Sequence, residues 1–243
     1  MTTLLALQHI ACEQPAAYED ELRARGGRLA RVELDEGEPL PDWHDFDGMI
    51  VMGGPMGAYE DEAHPWLTAE KRLIREAADA GMPVWGVCLG AQLLAASMGA
   101  EVHPGPQPEI GVLPVELTPA AAGDPVFAAA PNRFPALQWH GDTFELPAGA
   151  TLLASSPAYR SQAFVRGRAY GLQFHLEAPP ELAAEWGDVP AYAGSLAAAK
   201  GPGALAGLLA DVEADAPQML ALARRLFGSW LEQVVGVPSA APG

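Results

Sequence analysis

The feature that most constrains this chain is an alternation in its first hundred residues. Short apolar runs exchange with stretches of helical spacing. "TLLALQHI" (Thr3–Ile10) reads as a buried strand, and the polar helix "AAYEDELRARGG" follows, stopped by Gly26 and Gly27. Arg28–Leu34 and Phe46–Gly54 are the next strands. "PWLTAEKRLIREAADAG" then carries Leu67, Leu73, Ile74 and Ala77 at helical spacing, with Pro65 near its start and Gly81 as its stop. Pro83–Val87 is a further strand and Leu89–Met98 a helix closed by Gly99. Parallel strands need crossover connections, and the helices that supply them cover both faces of the sheet. The expected class is therefore α/β, with an open, mostly parallel sheet and helices on both faces.

From Gly111 the pattern changes. "GVLPVEL", "ALQWHGDTF", "TLLASS", "QAFVRG" and "AYGLQFHLE" read as short strands between turn signals, part of them antiparallel. After Glu177 the chain is helical from about Pro180 to Val235, with breaks at Pro190 and at Gly201–Gly203. The expectation is a single domain over residues 1–243, with a core at about 3–180 and a C-terminal helical extension at about 181–235. The tail "GVPSAAPG" is expected to fray.

Composition narrows the function. The net charge is −17, from 14 Lys and Arg against 31 Asp and Glu, so the surface repels phosphate backbones and anionic membranes. No nucleic acid and no membrane is expected as a partner. No apolar run approaches a membrane span, and the uncharged start reads as a first strand, not a signal peptide. Two cysteines, Cys12 and Cys88, make neither a disulfide framework nor a CxxC zinc site. The expectation is a cytoplasmic protein with reduced thiols and neither cofactor nor metal.

The chemistry concentrates at "GVCLG", residues 86–90. A strand that turns sharply into a helix presents the turn residue at the carboxyl edge of the sheet, where open α/β sheets bind ligands. Flanking glycines leave room for a strained backbone, as in the G-x-S-x-G elbow, here with sulfur in place of oxygen. The positive end of the following helix favours a thiolate. Cys12 lacks such an elbow and reads as non-catalytic. A cysteine nucleophile needs a base, and two pairs offer one. His175 and Glu177 in "QFHLE" share a face if the strand continues through both. His140 and Asp142 in "QWHGD" have the same spacing, with Gly141 between them suggesting a turn.

Taken together, "MIVMGGPMGAYED" (Met49–Asp61), "GVCLGAQ" (86–92), "EIG" (Glu109–Gly111), "QWHGDTFELP" (Gln138–Pro147) and "YGLQFHLE" (Tyr170–Glu177) resemble the class I glutamine amidotransferases, closest to the stand-alone, GMP-synthase-like branch. The resemblance covers about residues 3–180 and implies a flavodoxin-like sheet. It departs at Leu176, where much of the superfamily has proline, and at Val112, where an aromatic residue often forms a pocket wall. It implies that Cys88 attacks a side-chain amide carbon, that His175 moves the proton and that Glu177 holds His175. The Gly54 and Leu89 N–H groups would form the oxyanion hole. Gly53, Gln92, Trp139, His140 and Asp142 would line or brace the substrate pocket.

The leading expectation is thus hydrolysis of glutamine or a related γ-glutamyl compound through a γ-glutamyl thioester. Three alternatives stand beside it. One is an ammonia-supplying subunit of a separate synthase, since no Gly-rich ATP loop of G-x-x-x-x-G-K form is present. Another is a different cysteine hydrolase on a flavodoxin-like sheet. The last is an idle subunit that binds a ligand and regulates a partner. The helical extension would either cover the site or dock a partner.

Overall fold

A computed structural model describes residues 1–239. Its strands are β1 (Thr3–Gln8), β2 (Arg28–Glu33), β3 (Gly48–Val51), β4 (Val84–Val87), β5 (Val102–Leu117), β6 (Arg133–Phe144), β7 (Thr151–Ser155), β8 (Ala163–Arg166) and β9 (Ala169–Leu172). Among the described residues they form one nine-stranded sheet in the order β2-β1-β3-β4-β9-β8-β7-β5-β6. The first five are parallel and the remaining pairings antiparallel.

The helices are α1 (Ala17–Ala24), α2 (Trp66–Asp79), α3 (Leu89–Ser97), α4 (Pro180–Gly187), α5 (Pro190–Lys200) and α6 (Leu205–Trp230). Alternation along β1 shows why both faces are covered. Leu4 points into a core with Tyr18 and Leu22 of α1 and Phe227 and Trp230 of α6. Leu5 and Leu7 point the other way, against Leu67 and Ile74 of α2 and Leu93 and Leu94 of α3. β1, β3, β4 and β9 are buried at every residue, as strands between two helical layers are. β2 lies at the sheet edge and is largely uncovered.

Three expectations change. "GVLPVEL" is not a separate short strand but the second half of the 16-residue β5. Its first half holds Pro104, Pro106 and Pro108 and reads as loop, because proline cannot donate to a ladder. The pairing with β6 shifts register there, between Pro104 and Glu109, and so accommodates the missing donors. The strand "AYGLQFHLE" ends at Leu172, before the His and Glu. In the tail, Val237 is buried and its N–H donates to the Leu231 carbonyl at 2.8 Å, so the chain does not fray from Gly236. Residues 240–243 lie outside the described residues. The helical breaks fall as expected, with α5 starting at Pro190 and ending at Gly201.

Candidate active site

The loops leaving the carboxyl ends of β1, β3, β4 and β9 converge at one edge of the parallel sheet. They bring His9 and Glu13, Gly53 and Gly54, Cys88, and Gln173, His175 and Glu177 together. β1 has β2 on one side and β3 on the other, so the crevice lies where strand order reverses.

Cys88 occupies the single residue between β4 and α3, at φ 52° and ψ −111°. Apart from Ala16 it is the only non-glycine residue with positive φ among the described residues. Such a conformation costs about 1–3 kcal/mol and persists only where the surroundings over-determine it. Here they do. The Cys88 N–H donates to the Leu172 carbonyl at 2.7 Å, and its own carbonyl accepts from Ala91 and Gln92 of α3. The flanking glycines are sterically obligatory. A Cβ on Gly90 would lie 2.0 Å from the Val51 carbonyl oxygen, and one on Gly86 2.6 Å from that of Gly90. The glycines thus let β3, the elbow and α3 close on one another around the thiol.

His175 lies near enough to Cys88 for the thiol to bear on its ring. Its Nδ1 lies 2.7 Å from Glu177 Oε1, and the ring packs edge-to-face on Trp186 at 4.6 Å. The pairing survives the end of β9 because the chain stays extended: His175 exchanges N–H and carbonyl bonds with Leu137 of β6 at 2.9 and 3.0 Å. Leu176 N–H donates to Glu177 Oε2 at 3.0 Å, a bond that proline at this position would forfeit. Burial alone would push the His175 ring down, but the Glu177 charge, followed by the bond and charge of Cys88, raises it well above its ordinary value.

A cavity of about 290 Å³ opens beside the thiol. Gly54, Leu89, Gln92, Trp139, His140 and Asp142 line it together with Cys88. Gly53, His175 and Glu177 lie behind this surface. Gln92 Nε2 donates to Gln173 Oε1 at 3.0 Å, and Gln173 Nε2 reaches Cys88 Sγ at 3.7 Å. Val112 is not on the wall; Pro108 and Ile110 of β5 are. His140 and Asp142 make no side-chain dyad. β6 runs straight through Gly141, and His140 Nδ1 meets the Asp142 main-chain oxygen at 2.9 Å while Nε2 lies 3.3 Å from Glu109 Oε2. Cys12 is half-buried, and burial followed by the charge of Glu13 pushes its thiol up to about 11. No group of three or more His, Cys, Asp or Glu side chains among the described residues is placed to hold a metal ion.

These observations meet a match to known proteins. The family model for class-I glutamine amidotransferases matches residues 17–185. The chain belongs to the class-I glutamine amidotransferase family. It is 35% identical over 174 residues to the glutamine amidotransferase-like protein YfeJ of Salmonella typhimurium, which covers 70% of this chain and 73% of that protein. It is 38% identical over 131 residues to a GMP synthase (glutamine-hydrolyzing) of Thermomicrobium roseum, covering 54% of this chain but only 23% of the synthase. A solved glutamine amidotransferase of Thermotoga maritima superposes with a TM-score of 0.85 at 34% identity, over 96% of this chain and 98% of that one. The expected flavodoxin-like fold holds. No helix among the described residues is long and apolar enough to cross a membrane.

Within this amidotransferase the helical extension covers the site. Ala191, Tyr192 and Ser195 of α5 line the cavity, and Trp139 Nε1 donates to Ser195 Oγ at 3.2 Å. The Tyr192 hydroxyl donates to Glu13 Oε1. Sequence reasoning missed both partners. Glu13 follows β1 and reads as an ordinary loop acid, yet it is 1% exposed, and its Oε2 has no hydrogen-bond partner among the described residues. Burial pushes its carboxyl up to about 7 from 4.5, with the His175 charge opposing and the Glu177 charge assisting.

A raised carboxyl favours the folded state only while it is protonated. Its contribution is full below about pH 4.5 and lost as pH rises through about 7, a loss of at most about 3 kcal/mol. Glu13→Gln, which keeps an acceptor for Tyr192, is therefore expected to match the parent at pH 4.5 and to exceed it at about pH 8. Urea unfolding at the two pH values checks this, and parallel pH slopes would contradict it.

Proposed function

We propose that this chain hydrolyses the side-chain amide of glutamine or a related γ-glutamyl compound in the cytoplasm. The observation that carries the reading is the Cys88 thiol, held at a strained elbow beside a His175 fixed by Glu177, at the wall of a cavity. Cys88 Sγ attacks the amide carbon while its proton passes to His175. The Gly54 and Leu89 N–H groups receive the oxyanion, and donors of this kind are worth about 3–4 kcal/mol each. The intermediate collapses by breaking the C–N bond, and ammonia or an amine leaves with the His175 proton. Water, activated by His175, then attacks the thioester, releasing the acid and restoring the thiol. Gln92, Trp139, His140 and Asp142 hold the substrate or brace the wall, and Gly53 supports Gly54.

A second reading rests on the GMP synthases among the relatives: this chain would supply ammonia to a separate synthase subunit. The roof formed by α5, a segment of the same chain, favours independent hydrolysis. Ammonia release is expected from the purified chain on at least one member of a panel of γ-glutamyl amides and peptides, with kcat above ~0.1 s⁻¹. A panel silent for the lone chain but active with a copurifying synthase would establish the subunit reading instead.

A further inference from the structure

Gly53 and Gly54 share one peptide unit, and no cis peptide bond occurs among the described residues. In a planar trans peptide the carbonyl and the N–H point in opposite directions, so whatever fixes the Gly53 carbonyl also fixes the Gly54 N–H. The group that fixes it is His9. Its Nδ1 lies 3.0 Å from the Gly53 oxygen, and its Nε2 lies 2.8 Å from Glu70 Oε1 of α2. His9 and Glu70 are both 0% exposed, and the ring stacks on Trp66 at 5.5 Å.

A carbonyl can only accept, so Nδ1 carries a hydrogen, and a carboxylate opposite Nε2 calls for a second. Burial opposes this charge, but Glu70, the Gly53 carbonyl and Glu13 together raise the ring above its ordinary value. Glu70 and Glu13 are the charged groups that bear on it. On the other side of the peptide, no hydrogen bond among the described residues takes up the Gly54 N–H. Gly54 lines the cavity beside Cys88 and Leu89. A Cβ on Gly54 would lie 2.9 Å from His9 Cβ and 3.0 Å from Leu89 Cδ2, so the loop is clamped between the histidine and the start of α3.

We propose that His9, anchored by Glu70, is a positioning residue that grips the Gly53 carbonyl and thereby aims the Gly54 N–H at the oxyanion. The inference rests on the reaction proposed above. A cationic donor on the carbonyl also polarises the peptide and strengthens its N–H as a donor. The pair sets the hole without touching the substrate.

Two isosteric variants separate this role from simple packing. Asn places its amide nitrogen near ring Nδ1 and still reaches Gly53; Gln places its own near Nε2 and reaches only Glu70. His9→Asn is expected to keep kcat within about fivefold, and His9→Gln to lose about 100-fold, the low end for removing an oxyanion donor. KM should stay within about threefold, since the loss is confined to the transition state. Alkylation of Cys88 by iodoacetamide forms no oxyanion and should proceed at the parent rate in both. Equal losses in the two variants, a loss carried by KM, or alkylation slowed in parallel would overturn the proposal. A measurement on the parent protein stands apart from turnover. Ring ¹⁵N spectra at about pH 7.5 should show both His9 nitrogens protonated, and a neutral ring overturns the assignment. If the parent is silent on every γ-glutamyl amide, the reaction is what fails, and the ring spectrum still decides the His9–Gly53 device.

Discussion

Cys88→Ala is expected to lose all measurable turnover of γ-glutamyl amides, a fall of about 10⁴-fold or more for a missing nucleophile. Covalent labelling by a glutamine-mimicking diazo-ketone should vanish with it. Cys12→Ala should retain both. The contrast follows from where the two thiols sit. Cys88 lies at the positive end of α3, beside His175 and on the cavity wall. Cys12 has no histidine base among its hydrogen bonds, and burial with the neighbouring Glu13 holds its thiol protonated up to about 11. Only one of the two is set up to react at neutral pH. Mass spectrometry after labelling gives the answer directly, and a Cys88→Ala protein that still labels would refute the nucleophile.

The second large effect concerns the proton. His175→Ala should abolish turnover, because it removes both the base for the thiol and the acid for the departing amine. Glu177→Gln should leave partial activity, reduced by about 10²- to 10⁴-fold, the range spanned when a triad's orienting acid is lost. Its pH profile should also move. In the parent, burial lowers His175 and the Glu177 charge is the largest influence raising it. Neutralising that carboxylate removes the main counterweight to burial, so the ring's affinity for a proton falls. The limb of the kcat/KM profile that reports His175 should shift towards acid. A profile that stays in place would show that Glu177 acts only through the Leu176 N–H it accepts. If His140→Ala proves dead while His175→Ala is active, the base is the wrong histidine.

The parallel half of the sheet was legible because strands buried on both faces carry near-continuous apolar runs, such as Leu4–Leu7 of β1 and the whole of β3 and β4. The elbow was legible because only glycine fits at positions 86 and 90. β5 was not, since its prolines carry the signature of loop while the ladder simply shifts around them. His9 and Glu70 were hidden by separation: the pair spans 61 positions in sequence. One signal did exist. Glu70 falls on the same helical stripe as Leu67, Ile74 and Ala77, and a charge on a buried stripe demands a partner. Tyr192 carried no comparable signal, because nothing in an Ala-rich helix says which surface it will roof.

The position of α5 in the chain has its own consequence. Cys88 comes from the junction of β4 and α3 and His175 and Glu177 from the segment after β9, whereas the roof is an 11-residue helix that begins at Pro190 and stops at Gly201. The reactive cluster and its enclosure therefore come from separate segments of the chain. Substitutions in residues 190–200 can reshape the space over the thiol without disturbing the elbow, the ring or the glycine loop, except at Tyr192, whose hydroxyl ties the roof to Glu13. The roof is thus a short segment, tied to the rest of the site by the Tyr192–Glu13 and Trp139–Ser195 hydrogen bonds.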